Sequence, residues 1–288
     1  MVATFSAYAN VFKLRIGIAI MACALAGFAV TQGETLATWQ VVVLALSVLA
    51  SSAAAGAFNQ YAERALDART PRTAGRPFAD GTFQADWRWP AAIAGILLAA
   101  VGAAGLALNG YVALHVFLGA FFYCFVYTLW LKQRTAWNIV VGGLAGSFAV
   151  LAGASAADPA IGSAGMLLAL VLFLWTPPHF WSLAMALRDQ YEAANVPMLP
   201  VVIGDAATSK IILAHTTALV TVSIVAALHD QGLIYLGAAV IGGAFFFWRS
   251  VQLVMRPGPH RAMANFFASL AQLGLLLSAA MVEGWLPG

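Results

Sequence analysis

The sequence predicts an all-α polytopic membrane protein with nine transmembrane helices, and three observations carry that expectation. Hydrophobic residues make up 62% of the 288 and charged residues only 9%, a balance that removes the soluble globular and disordered classes. Nine apolar stretches are long enough to span a bilayer. Numbering the connections from an inside N-terminus also places all 14 Lys and Arg residues on one side of the membrane.

In chain order, residues 16–32 follow Lys13 and Arg15, a pattern that a signal peptide and a first membrane helix share. No cleavage site stands out, so a helix is expected. Residues 39–58, 89–108 and 112–130 follow, and then 138–153, the shortest stretch. Gly142, Gly143 and Gly146 give that stretch a Gly-x-x-x-Gly pattern, read as close helix packing. Residues 163–183 contain Pro177 and Pro178, which kink a helix and free backbone carbonyls. Residues 211–229, 233–250 and 265–282 complete the set.

Lys13 and Arg15, the 59–88 connection, Lys132 and Arg134, Arg188 and Lys210, then Arg249, Arg256 and Arg261 all fall on the inner side. The outer loops carry only Glu34, Asp158, Asp230 and Glu283. An error of one helix would scatter the cations to both sides. The expectation is a single domain over 1–288, multi-pass, N-terminus cytoplasmic and C-terminus outside. An Arg-rich, Ser-rich transit peptide is missing, which points to a bacterial inner membrane. The net charge of +3 reports topology, and no nucleic-acid partner is expected. Cys23 and Cys124 lie far apart in apolar runs and suggest neither a disulfide framework nor a zinc site.

Three polar cassettes interrupt this background. In the first, Asn59, Glu63 and Asp67 are spaced by four on a helix, about 6 Å of rise and about 40° of drift per step, so they project from one stripe. Two carboxylates and an amide oxygen suit a hard divalent cation such as Mg²⁺. Pro71 is expected to end the helix, leaving Arg72 and Arg76 on a loop where guanidinium groups can reach phosphate oxygens. A charged loop that merely obeys the positive-inside rule would explain the arginines but not the stripe. In the second cassette, Lys132, Arg134 and Asn138 are either routine inner-face residues or positive charge and polarity around the same anion. The third holds His179 just beyond the Pro-Pro pair, then Arg188, Asp189, Tyr191 and Glu192, with Asp189 and Glu192 able to share a helical face.

Together these segments resemble a known family. Asn-x-x-x-Glu-x-x-x-Asp followed by Arg-Thr-x-x-Arg-Pro is similar to the first motif of the UbiA superfamily of intramembrane prenyltransferases. Tyr-Thr-x-x-Leu-Lys leading to Asn-Ile-Val-x-Gly-Gly, Thr-Pro-Pro-His-Phe-Trp, and Pro-Met-Leu-Pro-Val-Val resemble its haem branch, the protoheme IX farnesyltransferases or heme O synthases. The resemblance covers about residues 10 to 215, in order.

It implies a UbiA-type prenyltransferase fold around a central cavity, and a reaction in which farnesyl diphosphate and haem B give haem O and diphosphate. Carried over by position, Asn59, Glu63 and Asp67 would bind Mg²⁺, while Arg72, Arg76 and Lys132 contact phosphates. Asp189 is the candidate second acidic ligand, because Gln190 stands where an acidic residue precedes the tyrosine in family members. Arg134, Asn138, Arg188, Tyr191 and Glu192 are candidate substrate contacts, and Phe58, Tyr61 or Trp181 could steady an allylic cation. His179 is the candidate iron ligand. Haem would be a substrate rather than a prosthetic group, and a haem A synthase or a terminal oxidase assembly is the candidate downstream partner. The competing readings are a UbiA-type enzyme acting on an aromatic acid or quinone precursor, and a non-catalytic haem-handling membrane protein.

Overall fold

The computed structural model describes residues 2–229 and 231–284, so Asp230 lies outside the described residues. Every regular element in them is helical: α1 Val2–Val11, α2 Leu14–Val30, α3 Thr38–Asp67, α4 Arg88–Ala107, α5 Gly110–Phe121, a π-helical segment Phe122–Leu131, α6 Asn138–Gly142, α7 Leu144–Ala157, α8 Ser163–Ala186, α9 Arg188–Ala193, α10 Leu199–Ile203, α11 Asp205–His229, α12 Leu233–Met255 and α13 Pro259–Gly284.

Eight of these, counting α5 with the π segment and α6 with α7, are long and apolar enough to cross a membrane. The 17-residue α2 is a shorter apolar helix in the position of the first expected span. Consecutive long helices pack side by side, and α13 packs against α2 as well as α8 and α12, which closes the bundle. Exposed Trp39, Leu98, Leu106, Leu228 and Leu233 cover its outside, as a protein solvated by lipid requires.

Close approach fixes the α2–α7 crossing. A Cβ on Gly153 would overlap the Ala24 carbonyl oxygen, and one on Gly27 would overlap that of Val150. Small residues let two helix backbones touch where lipid supplies no hydrophobic drive between them. In the expected Gly-x-x-x-Gly pattern, Gly142 packs under Tyr127 and Gly143 under Thr176, but Gly146 faces open space. The pattern therefore works as a Gly-Gly pair at the α6–α7 junction.

Two boundaries differ from expectation in ways that matter for function. The apolar part of the second span stops near residue 58, yet α3 runs on to Asp67 and carries the whole first cassette. The helix stops there rather than at Pro71, and the Asp67 carbonyl at its end accepts from the Thr70 N–H and the Thr73 hydroxyl. The fourth span does not remain α-helical either. From Phe122 to Leu131 it is wound with five-residue hydrogen bonds, the Lys132 amide donating to the Tyr127 carbonyl at 2.9 Å.

Candidate active site

The end of α3, the turns after it, the π segment and the α1–α2 junction meet at one end of the bundle. Asn59, Glu63 and Asp67 are all buried there, at 2%, 5% and 4% exposure, although a charged helix end would ordinarily be solvated. Each has a cation on it. Lys13 Nζ donates to Asn59 Oδ1 at 2.6 Å. Lys132 Nζ lies 2.6 Å from Glu63 Oε2. Arg76 Nη1 donates to both Asp67 oxygens at 2.8 Å.

Local structure explains each placement. The turns following α3 fold back on themselves, Arg76 N–H donating to the Thr73 carbonyl, so Arg76 returns to the helix end it left. Buried Phe78 pins that loop, its ring edge-on to Tyr61 at 5.7 Å and to Trp89 at 4.8 Å. Winding by five aligns Tyr123 with Thr128 and Tyr127 with Lys132 along the π segment. Thr128 accepts from Asn59 Nδ2 at 3.1 Å, Lys132 reaches Glu63, and the Tyr123 and Tyr127 rings stack 5.6 Å apart beside them.

An apolar cavity opens next to this cluster. It holds about 610 Å³ of atom-free space, part of it open to the outside. Lys13 and Tyr123 line its polar end, and Ile16, Ile20, Val48, Ala149 and Ala152 are among its apolar walls. His115 also lines it, with Nδ1 3.1 Å from Ser155 Oγ.

Arg72 is exposed on the loop, with its charge close enough to bear on Lys13 and Tyr191. Burial depresses the Lys13 ammonium to about 8, with Arg76 adding to the effect and Glu63 opposing it. Burial also raises the Tyr191 phenol, against the pull of Arg72 and Arg76.

Other expected site residues are placed elsewhere. On α9 it is Tyr191 that turns toward the first cassette, packing in the same cluster as Leu66 and Tyr127. Asp189 and Glu192 are exposed and line a separate polar groove with Arg188 and Asp205. Asp189 is thus not brought to the α3 carboxylates, because a six-residue helix orients by its apolar side. Arg188 pairs with Asp205 at 3.6 Å. Arg134 is exposed, and Asn138 is buried with its amide donating to the Thr135 carbonyl at 2.6 Å. His179 is sandwiched between Trp175 at 4.1 Å and Phe266 at 4.5 Å, with Nδ1 2.7 Å from Ser269 Oγ. That places it in α8–α13 packing and not on the apolar cavity. Trp181 is fully buried against His215. Tyr123 and Tyr127 are rings beside the cluster, and Phe58 packs with Tyr123, whereas Tyr61 packs on Phe78 and Trp181 lies away from it.

Lys13 and Tyr123 escape a reading of the sequence alone. Lys13 looks like a topology anchor ahead of an apolar run, and no residue type in Phe122–Leu131 announces π winding.

The donor set suits Mg²⁺ on grounds internal to the structure. It consists of oxygens only, and Glu63 Oε1 is buried with no hydrogen-bond partner among the described residues. No group of three or more His, Cys, Asp or Glu side chains able to hold a metal occurs among them either. Mg²⁺ commonly takes one or two carboxylates and completes its octahedron with water and substrate phosphates, so a partial cage fits.

Comparison with known proteins gives the chain's relatives and its family. The chain is 56% identical over 288 residues to protoheme IX farnesyltransferase 2 of Paramagnetospirillum magneticum, covering 100% of both. It is 41% identical over 283 residues to protoheme IX farnesyltransferase 1 of the same organism, covering 97% of this chain and 99% of that one. Among solved structures, a UbiA homologue from Archaeoglobus fulgidus bound to DMAPP and Mg²⁺ superposes with a TM-score of 0.71 at 14% identity, over 96% of this chain and 99% of that one. The apo UbiA homologue from Aeropyrum pernix gives 0.75 at 21% identity, over 93% and 98%. These two share the fold. The model of the UbiA prenyltransferase family matches residues 20–273, and the chain belongs to that family.

Proposed function

We propose that this chain transfers the farnesyl group of farnesyl diphosphate to a vinyl group of haem B, with addition of water, giving haem O and diphosphate. The observation that carries the reading is the buried row Asn59, Glu63 and Asp67, a cation on each, joined through Lys13 to the apolar cavity that Lys13 lines. An anionic head beside the row and an isoprenoid tail among aliphatic side chains match that division. The haem acceptor is supported by full-length similarity to proteins named protoheme IX farnesyltransferase.

Asn59, Glu63 and Asp67 would hold Mg²⁺, which when bound draws negative charge off the departing diphosphate. Arg76 and Lys132, held beside the row by Asp67 and Glu63, stabilise the same charge as it develops. Arg72 on the adjacent loop adds to the positive field. The stacked Tyr123 and Tyr127 offer ring faces to the allylic carbon as it becomes cationic. Apolar walls keep water from quenching that carbon before the vinyl group attacks it. Water then adds to the cation left on the haem side chain and loses a proton, which leaves the hydroxyl group. Haem propionates would lie toward arginine and lysine side chains at the cluster end of the bundle.

The chain would lie in a bacterial inner membrane with that end cytoplasmic, since every Lys and Arg lies in the loops or the helix portions that chain order assigns to that end. A haem A synthase or a terminal oxidase assembly is the proposed recipient of the product.

The test is mass spectrometry of haem extracted after purified protein is incubated with haem B, farnesyl diphosphate and Mg²⁺. A mass gain of farnesyl plus water is expected. Prenylation of 4-hydroxybenzoate with haem left unchanged would replace the acceptor and keep the site.

A further inference from the structure

Of the three cations on the cassette, Lys13 alone has a neutral partner. Arg76 and Lys132 face carboxylates, whereas the Lys13 ammonium meets the Asn59 amide oxygen at 2.6 Å and the Tyr123 hydroxyl at 3.1 Å. Among the described residues it makes no ion pair. Three cations against two carboxylates leave an excess of one positive charge, at a place where charge is poorly solvated.

The fold goes to some length to keep Lys13 there. Its backbone adopts φ 47°, ψ 43°, a left-handed conformation uncommon for a residue with a Cβ. Its stem crosses Gly56 so closely that a Cβ there would lie 3.2 Å from Lys13 Cβ and 3.3 Å from Cγ and Cδ. Lys13 is also the residue that both touches the cassette and lines the apolar cavity, so its ammonium marks the point where an anionic head would meet a hydrocarbon tail.

We propose that Lys13 is a diphosphate-binding residue that rests on Asn59 until substrate and metal arrive, and then transfers its hydrogen bonds to a phosphate oxygen. The inference rests on the prenyl diphosphate reading of the site and adds an order to it. Metal approaching alone must displace ammonium and guanidinium groups from their ligands and leave them unpaired. Diphosphate approaching alone must compete with Glu63 and Asp67 for Lys132 and Arg76. Arriving together, the two exchange all three cations from ligand to phosphate, so each strengthens the binding of the other.

The test uses full-length protein in detergent and calorimetric titration with inorganic diphosphate, with and without Mg²⁺, and with Mg²⁺ alone; no turnover is involved. Wild type should bind diphosphate tightly only with Mg²⁺. Lys13→Met should weaken that binding at least about tenfold, the loss of one charge-assisted contact, while Mg²⁺ alone binds as well as to wild type or better. Lys13→Gln keeps a donor for Asn59 without the charge, and covers the case in which Met impairs folding. It should lose diphosphate affinity to the same degree. Arg15→Gln, at an exposed position two residues on, should change nothing. Folded Lys13→Gln or Lys13→Met protein with wild-type diphosphate affinity would overturn the assignment and make Lys13 a strut between α1 and α3. Wild-type protein with no Mg²⁺-dependent diphosphate binding would remove the underlying reading as well.

Discussion

Replacing Asp67 with Asn removes a charge while leaving shape and volume almost unchanged, which makes it the most direct probe of the cassette. Two consequences should separate. Asp67 is 4% exposed and holds Arg76 through both oxygens, so the variant leaves a guanidinium without its counter-charge. Breaking a buried pair from one side costs about 3–5 kcal/mol. The Arg76 side chain is 22% exposed, and solvent relief lowers the expected loss to about 2–3 kcal/mol. The catalytic effect comes on top, because one preorganised electrostatic group contributes about 10²–10³ in kcat.

Melting of the detergent-solubilised protein reads the first effect, and farnesyl transfer to haem at saturating Mg²⁺ reads the second. The Asp67→Asn, Arg76→Gln double variant distinguishes pairing from chemistry. It should recover most of the lost stability, since no unpaired charge remains, and none of the turnover. Near-wild-type transfer by folded Asp67→Asn protein, or turnover recovered in the double variant, would show that Asp67 only holds Arg76.

Further outcomes follow from the same geometry. Arg76 bonds both Asp67 oxygens through a single nitrogen, which an ammonium can imitate, so Arg76→Lys should melt near wild type yet bind farnesyl diphosphate about tenfold more weakly for want of the planar fork. Unchanged apparent affinity would exclude bidentate phosphate recognition there. Chelation with EDTA should abolish transfer and added Mg²⁺ restore it, and full activity after exhaustive chelation would remove the metal from the mechanism. His179→Ala empties the slot between Trp175 and Phe266 and should cost about 3–5 kcal/mol, whereas His179→Phe should fold with a loss of about 1 kcal/mol at the Ser269 bond. The Soret band of bound haem should be the same in His179→Phe and wild type; a shifted band would reinstate His179 as an iron ligand. Gly153→Ala should push α2 from α7 and lower stability by about 1–3 kcal/mol, measured by melting.

How much of this is legible in the sequence depends on the kind of interaction involved. Span positions are legible because lipid imposes one requirement, about twenty apolar residues, that composition records directly. The α3 stripe is legible because helical spacing alone puts Asn59, Glu63 and Asp67 on one face. Its end is not, since the stop is set by the turns that follow, in which the Thr70 N–H and the Thr73 hydroxyl both reach back to the Asp67 carbonyl. Asp189 and Glu192 illustrate the opposite failure. Their spacing does place them together, but packing turns that face outward and Tyr191 inward.

Lys132 is the most instructive case. In an α-helical register it would share a face with Thr128; wound by five it shares one with Tyr127 instead and reaches Glu63. Which register forms is decided by packing along the whole fourth span, not by the residues at its end. The positive-inside rule counts Lys13, Arg76, Lys132 and Arg134 as equivalent, because it concerns only the side of the membrane on which a charge lies. Partnership is a property of the folded chain. Only the fold distinguishes the exposed Arg134 from Lys132 two residues earlier, whose ammonium lies 2.6 Å from a buried carboxylate.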